Sequence, residues 1–202
     1  VSGLSFGGAR ARTLDFDIEA RPLSWLGGDF VTREVTAIAA RFIDAPKKDT
    51  HVWLLGVDDP VDMLEGFRAL YNEADIVTGH YIRGFDLPNL MGALAEYGLA
   101  PLEEKWTVDT KGDLVKNQGV SKSQESLAAM LGLKHPKVQM NQAKWRAANR
   151  LTPEGIALTK ERVVGDINQH IEMLAELRRR GLVGPGRLWT PNAQGSPRGY
   201  TP

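Results

Sequence analysis

The chain has no cysteine among its 202 residues, which excludes disulfides, zinc–thiolate sites and cysteine nucleophiles. Such a sequence suits a reducing compartment, and a cytoplasmic location is expected. The chain also lacks any apolar run near the ~20 residues that span a bilayer, so no membrane partner is expected. Residues 1–12 hold two arginines but no apolar stretch, which does not fit a secretory signal. Net charge is missing too, with 25 basic residues against 25 acidic ones. A protein that coats duplex DNA is ordinarily basic, so the balance disfavours a non-specific coat. It does not disfavour an enzyme that grips one strand end, where bound metal ions supply positive charge locally.

What is present is a globular composition: 42% apolar and 25% charged residues, enough to bury one core in one domain. Residues 13–19, Thr-Leu-Asp-Phe-Asp-Ile-Glu, alternate strictly between apolar and acidic and predict a strand. Pro22 and Gly27-Gly28 punctuate the loop after it. Further strands are expected at 35–43 and 51–55, joined by the polar turn 44–49. Pro60 opens a helix to about residue 74, with Met63, Phe67 and Leu70 at helical spacing. The apolar run 75–79 reads as a fourth strand, followed by a helix over about 87–97 that Gly98 stops. Residues 106–109 make a fifth strand candidate. A lysine-bearing loop, 110–123, leads to a helix over 124–131, capped by Ser123 and ended by Gly132. A short helical piece is expected near 141–149. Thr152-Pro-Glu then starts a long last helix to about residue 180. Residues 1–180 therefore read as one domain. The Gly- and Pro-rich segment 181–202 reads as an extension that packs loosely.

Three places carry candidate chemistry. Side chains alternate across a strand, so Asp15, Asp17 and Glu19 share one face while Leu14, Phe16 and Ile18 share the other. Like charges at this spacing repel across roughly 7 Å, and aspartate is disfavoured in strands. Two explanations stand: a solvated acidic face on an edge strand, or a site for a hard divalent cation, which prefers convergent carboxylate oxygens. Asp86 follows Phe85 where a loop enters a helix, and reads either as an N-cap or as a fourth acid of the same site. In the last helix Val163, Ile167, Ile171, Leu174 and Leu177 form a core stripe. Asp166 and Arg162 border it, as do Gln169, His170 and Met173. A lone charge at such a border is usually the edge of a solvated face.

Together, Phe16-Asp-Ile-Glu19, Gly84-Phe-Asp86 and Gly165-Asp166 resemble the three exonuclease motifs of the DEDD superfamily, which includes DNA polymerase proofreading domains and RNA-trimming enzymes. Val108-Asp-Thr110 and residues 126–133 resemble the segment between its second and third motifs. The match runs from about residue 13 to 177, and its nearest flavour is that of small phage-encoded exonucleases. The resemblance implies an α/β, RNase H-like fold: a mixed five-stranded sheet, three strands antiparallel and two parallel, flanked by helices.

It also implies a metal-dependent 3′–5′ exonuclease that hydrolyses single-stranded DNA, or RNA, to nucleoside 5′-monophosphates. Two Mg²⁺ or Mn²⁺ ions would be held by Asp17, Glu19, Asp86 and Asp166. A replication polymerase is a further implied partner. The family carries a histidine five residues, or a tyrosine four residues, before the last aspartate; this chain has Glu161 and Arg162 there. An asparagine common in the second motif is replaced by Tyr81. Arginine stays protonated at physiological pH and cannot act as a base, so Arg162 is expected to hold the scissile phosphate. His170 and His80 are possible substitute bases, with structural roles the commoner alternative for each. Phe85, Lys111 and Arg146 are the expected substrate contacts, within a locally basic stretch that includes Lys116, Lys122, Lys134, Lys137 and Arg150. The competing expectation is an inactive RNase H-like nucleic-acid-binding module in a replication complex.

Overall fold

A computed structural model of the protein describes residues 5–6, 9–23, 30–115, 119–133 and 138–191. Two short strands, β1 (Ser5–Phe6) and β2 (Ala9–Arg10), pair antiparallel with each other. The main sheet is built from β3 (Thr13–Pro22), β4 (Arg33–Phe42), β5 (His51–Leu54), β6 (Ile76–Gly79), β7 (Lys105–Asp109) and β8 (Arg187–Trp189). Its order is β5-β4-β3-β6-β7-β8. The first three strands run antiparallel to one another, and β6 and β7 then add parallel to β3. That is the mixed pattern expected from the sequence.

The sheet has six strands rather than five. The sixth, β8, pairs antiparallel with β7 and comes from within the segment expected to pack loosely. Three residues are too few to show alternation, so nothing in its pattern announces a strand. It seats because Gly186, at φ +87°, lets the backbone approach Thr107; a Cβ there would lie 2.3 Å from the Thr107 carbonyl oxygen. Thr107 Oγ1 donates to the Arg187 carbonyl at 2.9 Å, and Trp106 Nε1 to that of Pro185 at 3.0 Å.

Helices cover both faces. α1 (Pro60–Glu73) and α2 (Asp86–Glu96) pack on one side, where Leu14, Phe16 and Ile18 of β3 meet Met63, Phe67, Leu87 and Leu90. α5 (Pro153–Arg179) lies on the other, its Val163 and Ile167 seated on Ala37 and Ala39 of β4. α3 (Gln124–Leu131) joins α5 through Leu127, Leu131, Met173 and Leu177, and α4 (Gln142–Asn149) precedes α5. The caps follow the residue types. The Asp59 carboxylate accepts from Val61 N–H, Ser123 Oγ from Ser126 N–H and Thr152 Oγ1 from Gly155 N–H; each relieves an unpaired amide of the first turn. No helix among the described residues is long and apolar enough to cross a membrane.

Candidate functional site

The alternation in β3 sends Asp15, Asp17 and Glu19 toward α5. Opposite them in register stand Arg41, Ala39 and Ala37 of β4. The two alanines are fully buried, and their small size lets α5 come close enough for Asp166 to reach the strand. A bulge between Glu19 and Ala20 adds local twist just beyond the last acid. One oxygen from each of Asp17, Glu19 and Asp166 lies within 4.8 Å of the others. Asp166 follows Glu19 by 147 residues and Asp17 by 149, and meets them only through the fold.

Asp86 joins the same cavity by another route. It is the first residue of α2, and its side chain does not cap that helix; the residue at the cap position is Phe85, which makes no side-chain cap bond. Instead the carboxylate crosses to β3 and accepts from Ile18 N–H at 3.1 Å. β3 pairs with β6 only through Thr13–Asp15, so the amide of Ile18 has run past its strand partner and takes a side-chain oxygen. Burial pushes the Asp86 carboxyl up to about 8, and the charges of Asp109 and Glu19 push the same way against its backbone hydrogen bonds.

The acids line a cavity of about 550 Å³. Asp17, Glu19, Asp86, Asp166, Arg162, Phe85 and Lys111 all border it, and Arg146 does not. Arg146 lines a neighbouring cavity instead. Lys116, Lys134 and Lys137 lie outside the described residues.

Arg162, one turn before Asp166, donates through Nε to Glu19 and through Nη1 to the Val138 carbonyl at 3.3 Å. Its Nη2 is 3.9 Å from Asp166, and its guanidinium lies 5.2 Å from the Trp145 ring centroid. Burial alone would lower its pKa; Glu19, Asp166 and Asp17 outweigh that and hold it above the ordinary value.

Several residues of the cavity and its supports take parts that the sequence did not assign them. Asp15 does not join the cluster. It is fully buried against His170 Nδ1, with Arg41 nearby. Burial raises its pKa, against the pull of His170 and Arg41. His170 Nε2 contacts Thr110 Oγ1 at 2.9 Å, and the same hydroxyl contacts His80 Nδ1 at 2.9 Å. His80 borders the cavity, and its Nδ1 is held by that side chain.

Asp109 organises the rim. Its carboxylate accepts from the backbone N–H groups of Tyr81, Arg83, Lys111 and Gly112 at 2.9–3.1 Å. This ties Tyr81 into a left-handed conformation, φ +72°, that bulky residues rarely adopt. The Tyr81 ring rests on Gly84, where a Cβ would come within 2.3 Å of it, and Lys111 Nζ sits 3.8 Å from its centroid. An aspartate at a strand end before a turn (Asp109-Thr-Lys-Gly112) is the one signal that could have pointed to this role.

Three hard oxygen donors at this separation fit a divalent cation, and Asp17, Glu19 and Asp166 are the residues that would hold it. No family model and no curated protein matches the chain. Among solved structures it is similar to the family B DNA polymerase from the hyperthermophilic archaeon Pyrobaculum calidifontis, with a TM-score of 0.67 and 19% identity over 84% of this chain. The chain spans 25% of that polymerase's length. At this identity the likeness is one of fold.

Proposed function

We propose that the chain is an RNase H-like, metal-dependent 3′–5′ exonuclease of the DEDD type, acting on single-stranded DNA or RNA. The observation that carries this reading is the convergence of Asp17, Glu19 and Asp166 within 4.8 Å in a cavity that Asp86 also borders. Four acids in one partly buried place repel one another unless cations compensate them. The fold likeness to part of a DNA polymerase supports the same reading, and a replication polymerase is the partner it suggests.

Asp17, Glu19 and Asp166, with Asp86 beside them, would hold two Mg²⁺ or Mn²⁺ ions. When bound, such ions activate water and stabilise the leaving oxygen at phosphorus. The reaction adds water across the P–O3′ bond: the phosphate gains the hydroxyl, and the upstream sugar keeps O3′ and a proton. Arg162 stays protonated, so its part is electrostatic. Its guanidinium, 3.9 Å from Asp166, would face a phosphate held over the cluster. Phe85 and Lys111 border the space for the terminal nucleotide, and Tyr81 adds a ring at its rim.

A 5′-labelled single-stranded oligonucleotide, incubated with Mg²⁺, Mn²⁺ or chelator, tests the reading. The expected result is a one-nucleotide ladder that disappears with chelator and with Asp17→Ala. One feature favours a second reading, an inactive nucleic-acid-binding module: Glu161 and Arg162 stand where the resembling family has a histidine or a tyrosine, and Arg162 already pairs with Glu19. Strand binding without any product under either metal would establish that alternative. Matched DNA and RNA oligonucleotides separate the two substrate classes, which differ by contacts to the 2′-hydroxyl.

A further inference from the structure

Trp145 borders the carboxylate cavity and also a second cavity of about 460 Å³, whose wall includes Arg21, Leu23, Gln142, Arg146 and Arg150. We propose that this second cavity binds the phosphodiester backbone of a single-stranded polynucleotide just upstream of the nucleotide in the carboxylate cavity. The inference rests on the nuclease reading above and extends it along the strand.

Charge is the first argument. The chain as a whole is neutral, yet three arginines and no acid line this cavity. Arg21 is held by Glu34 and by the Asn149 carbonyl at 2.6 Å. Arg146 and Arg150 are exposed, and neither enters a salt bridge among the described residues. They sit four residues apart at the end of α4, a spacing at which like charges face each other and repel. A bound phosphate turns that repulsion into two charge-assisted hydrogen bonds.

Continuity is the second. The Trp145 side chain, 37% exposed, is common to both cavities, and its ring meets the Arg162 guanidinium that reaches Glu19. A strand crossing from one cavity to the other would pass over an indole on which any base can stack.

Rigidity is the third. Asn141 caps α4 through Lys144 N–H at 2.9 Å. At its other end α4 is pressed against the start of α5 so closely that a Cβ on Gly155 would lie 2.2 Å from the Ala147 carbonyl oxygen. Trp145 and Arg146 are therefore carried on a braced helix rather than on a loop, and Arg150 stands at its C-terminal cap.

Fluorescence anisotropy with 5′-labelled oligonucleotides of two, four and eight nucleotides tests the proposal, in Ca²⁺ and with strand integrity checked on a gel. Wild-type affinity is expected to rise at least ~10-fold from two to eight nucleotides, and R146E/R150E to lose most of that gain. The milder R146Q/R150Q should flatten the log–log salt dependence by about 1.4, two phosphate contacts at ~0.7 each. A thermal melt by circular dichroism verifies that each variant is folded, and the glutamine pair keeps the test alive if charge reversal unfolds the chain. A length gain and salt slope unchanged in R146Q/R150Q would overturn the inference and leave the nuclease reading standing. If the wild type binds no strand of any length, both fall.

Discussion

Asp15 and Asp17 leave the same strand on the same side, two residues apart, and end in different surroundings. Asp15 is sealed between His170 and Arg41, so its charge has dedicated partners within the protein. Asp17 instead faces two further carboxylates, Glu19 and Asp166, with one guanidinium among them. The same alternating pattern thus builds a buried hydrogen-bonded Asp15–His170 pair at one end and a cluster of carboxylates that could hold a cation at the other. What separates them is the register of α5 over the strand, which puts a histidine over Asp15 and an aspartate beside Asp17.

Substitution should therefore move the two ends in opposite directions. Asp17→Asn is expected to cut strand cleavage about a thousandfold, equivalent to ~4 kcal/mol. It should leave thermal stability in chelator unchanged or raised, because it relieves repulsion. Kinetics beside a melting curve checks both halves, and a variant that cleaves normally would erase the distinction. Asp15→Ala is expected to cost about 3–5 kcal/mol of folding stability, since it strands a buried His170 and Arg41 without their acid. Denaturant unfolding measures this, and a loss under ~1 kcal/mol would mean the buried pair is not structural.

Metal ions sharpen the contrast. Mn²⁺ at about 100 times its Kd should stabilise the wild type by ~2.7 kcal/mol. Asp17→Asn should lose most of that gain, and a folded Asp15→Asn should retain it. Calorimetric titration gives the affinities directly, and equal losses in both variants would place Asp15 in the cation site. Gly155→Ala, remote from the acids, should cost about 1–3 kcal/mol by forcing α4 off α5, as a denaturant midpoint would show. Ser123→Ala should cost only ~1 kcal/mol, the worth of one cap, as a denaturant midpoint would show.

Much of this arrangement is written locally. The alternation in 13–19 puts the acids on one face. Pro60, Ser123 and Thr152 announce helix starts, and Gly132, at φ +72°, a helix end. These signals act between residues a few positions apart, so a single sequence displays them. Asp86 was readable as a helix N-cap or as an acid of the site but not as the partner of Ile18 N–H, because the unpaired amide arises only where β6 stops short along β3. β8 was hidden for the same kind of reason: its pairing is selected by the exposed edge of β7 and by one close glycine contact.

The residue types and their periodicity by themselves determined the five longer strands, the helix starts at Ser123 and Thr152 and the face on which the acids stand, since each follows from bonds and packing within one turn or one pleat; the mixed order of the sheet was implied by the family resemblance. The tertiary structure alone decided that Asp15 binds His170, that Arg162 reaches Glu19, that Asp109 gathers four amides at the rim, and that Trp145 joins two cavities. Each of those depends on where elements distant in the chain are seated against one another. Such seating is set by the summed packing of the core, and no short stretch of residues encodes it.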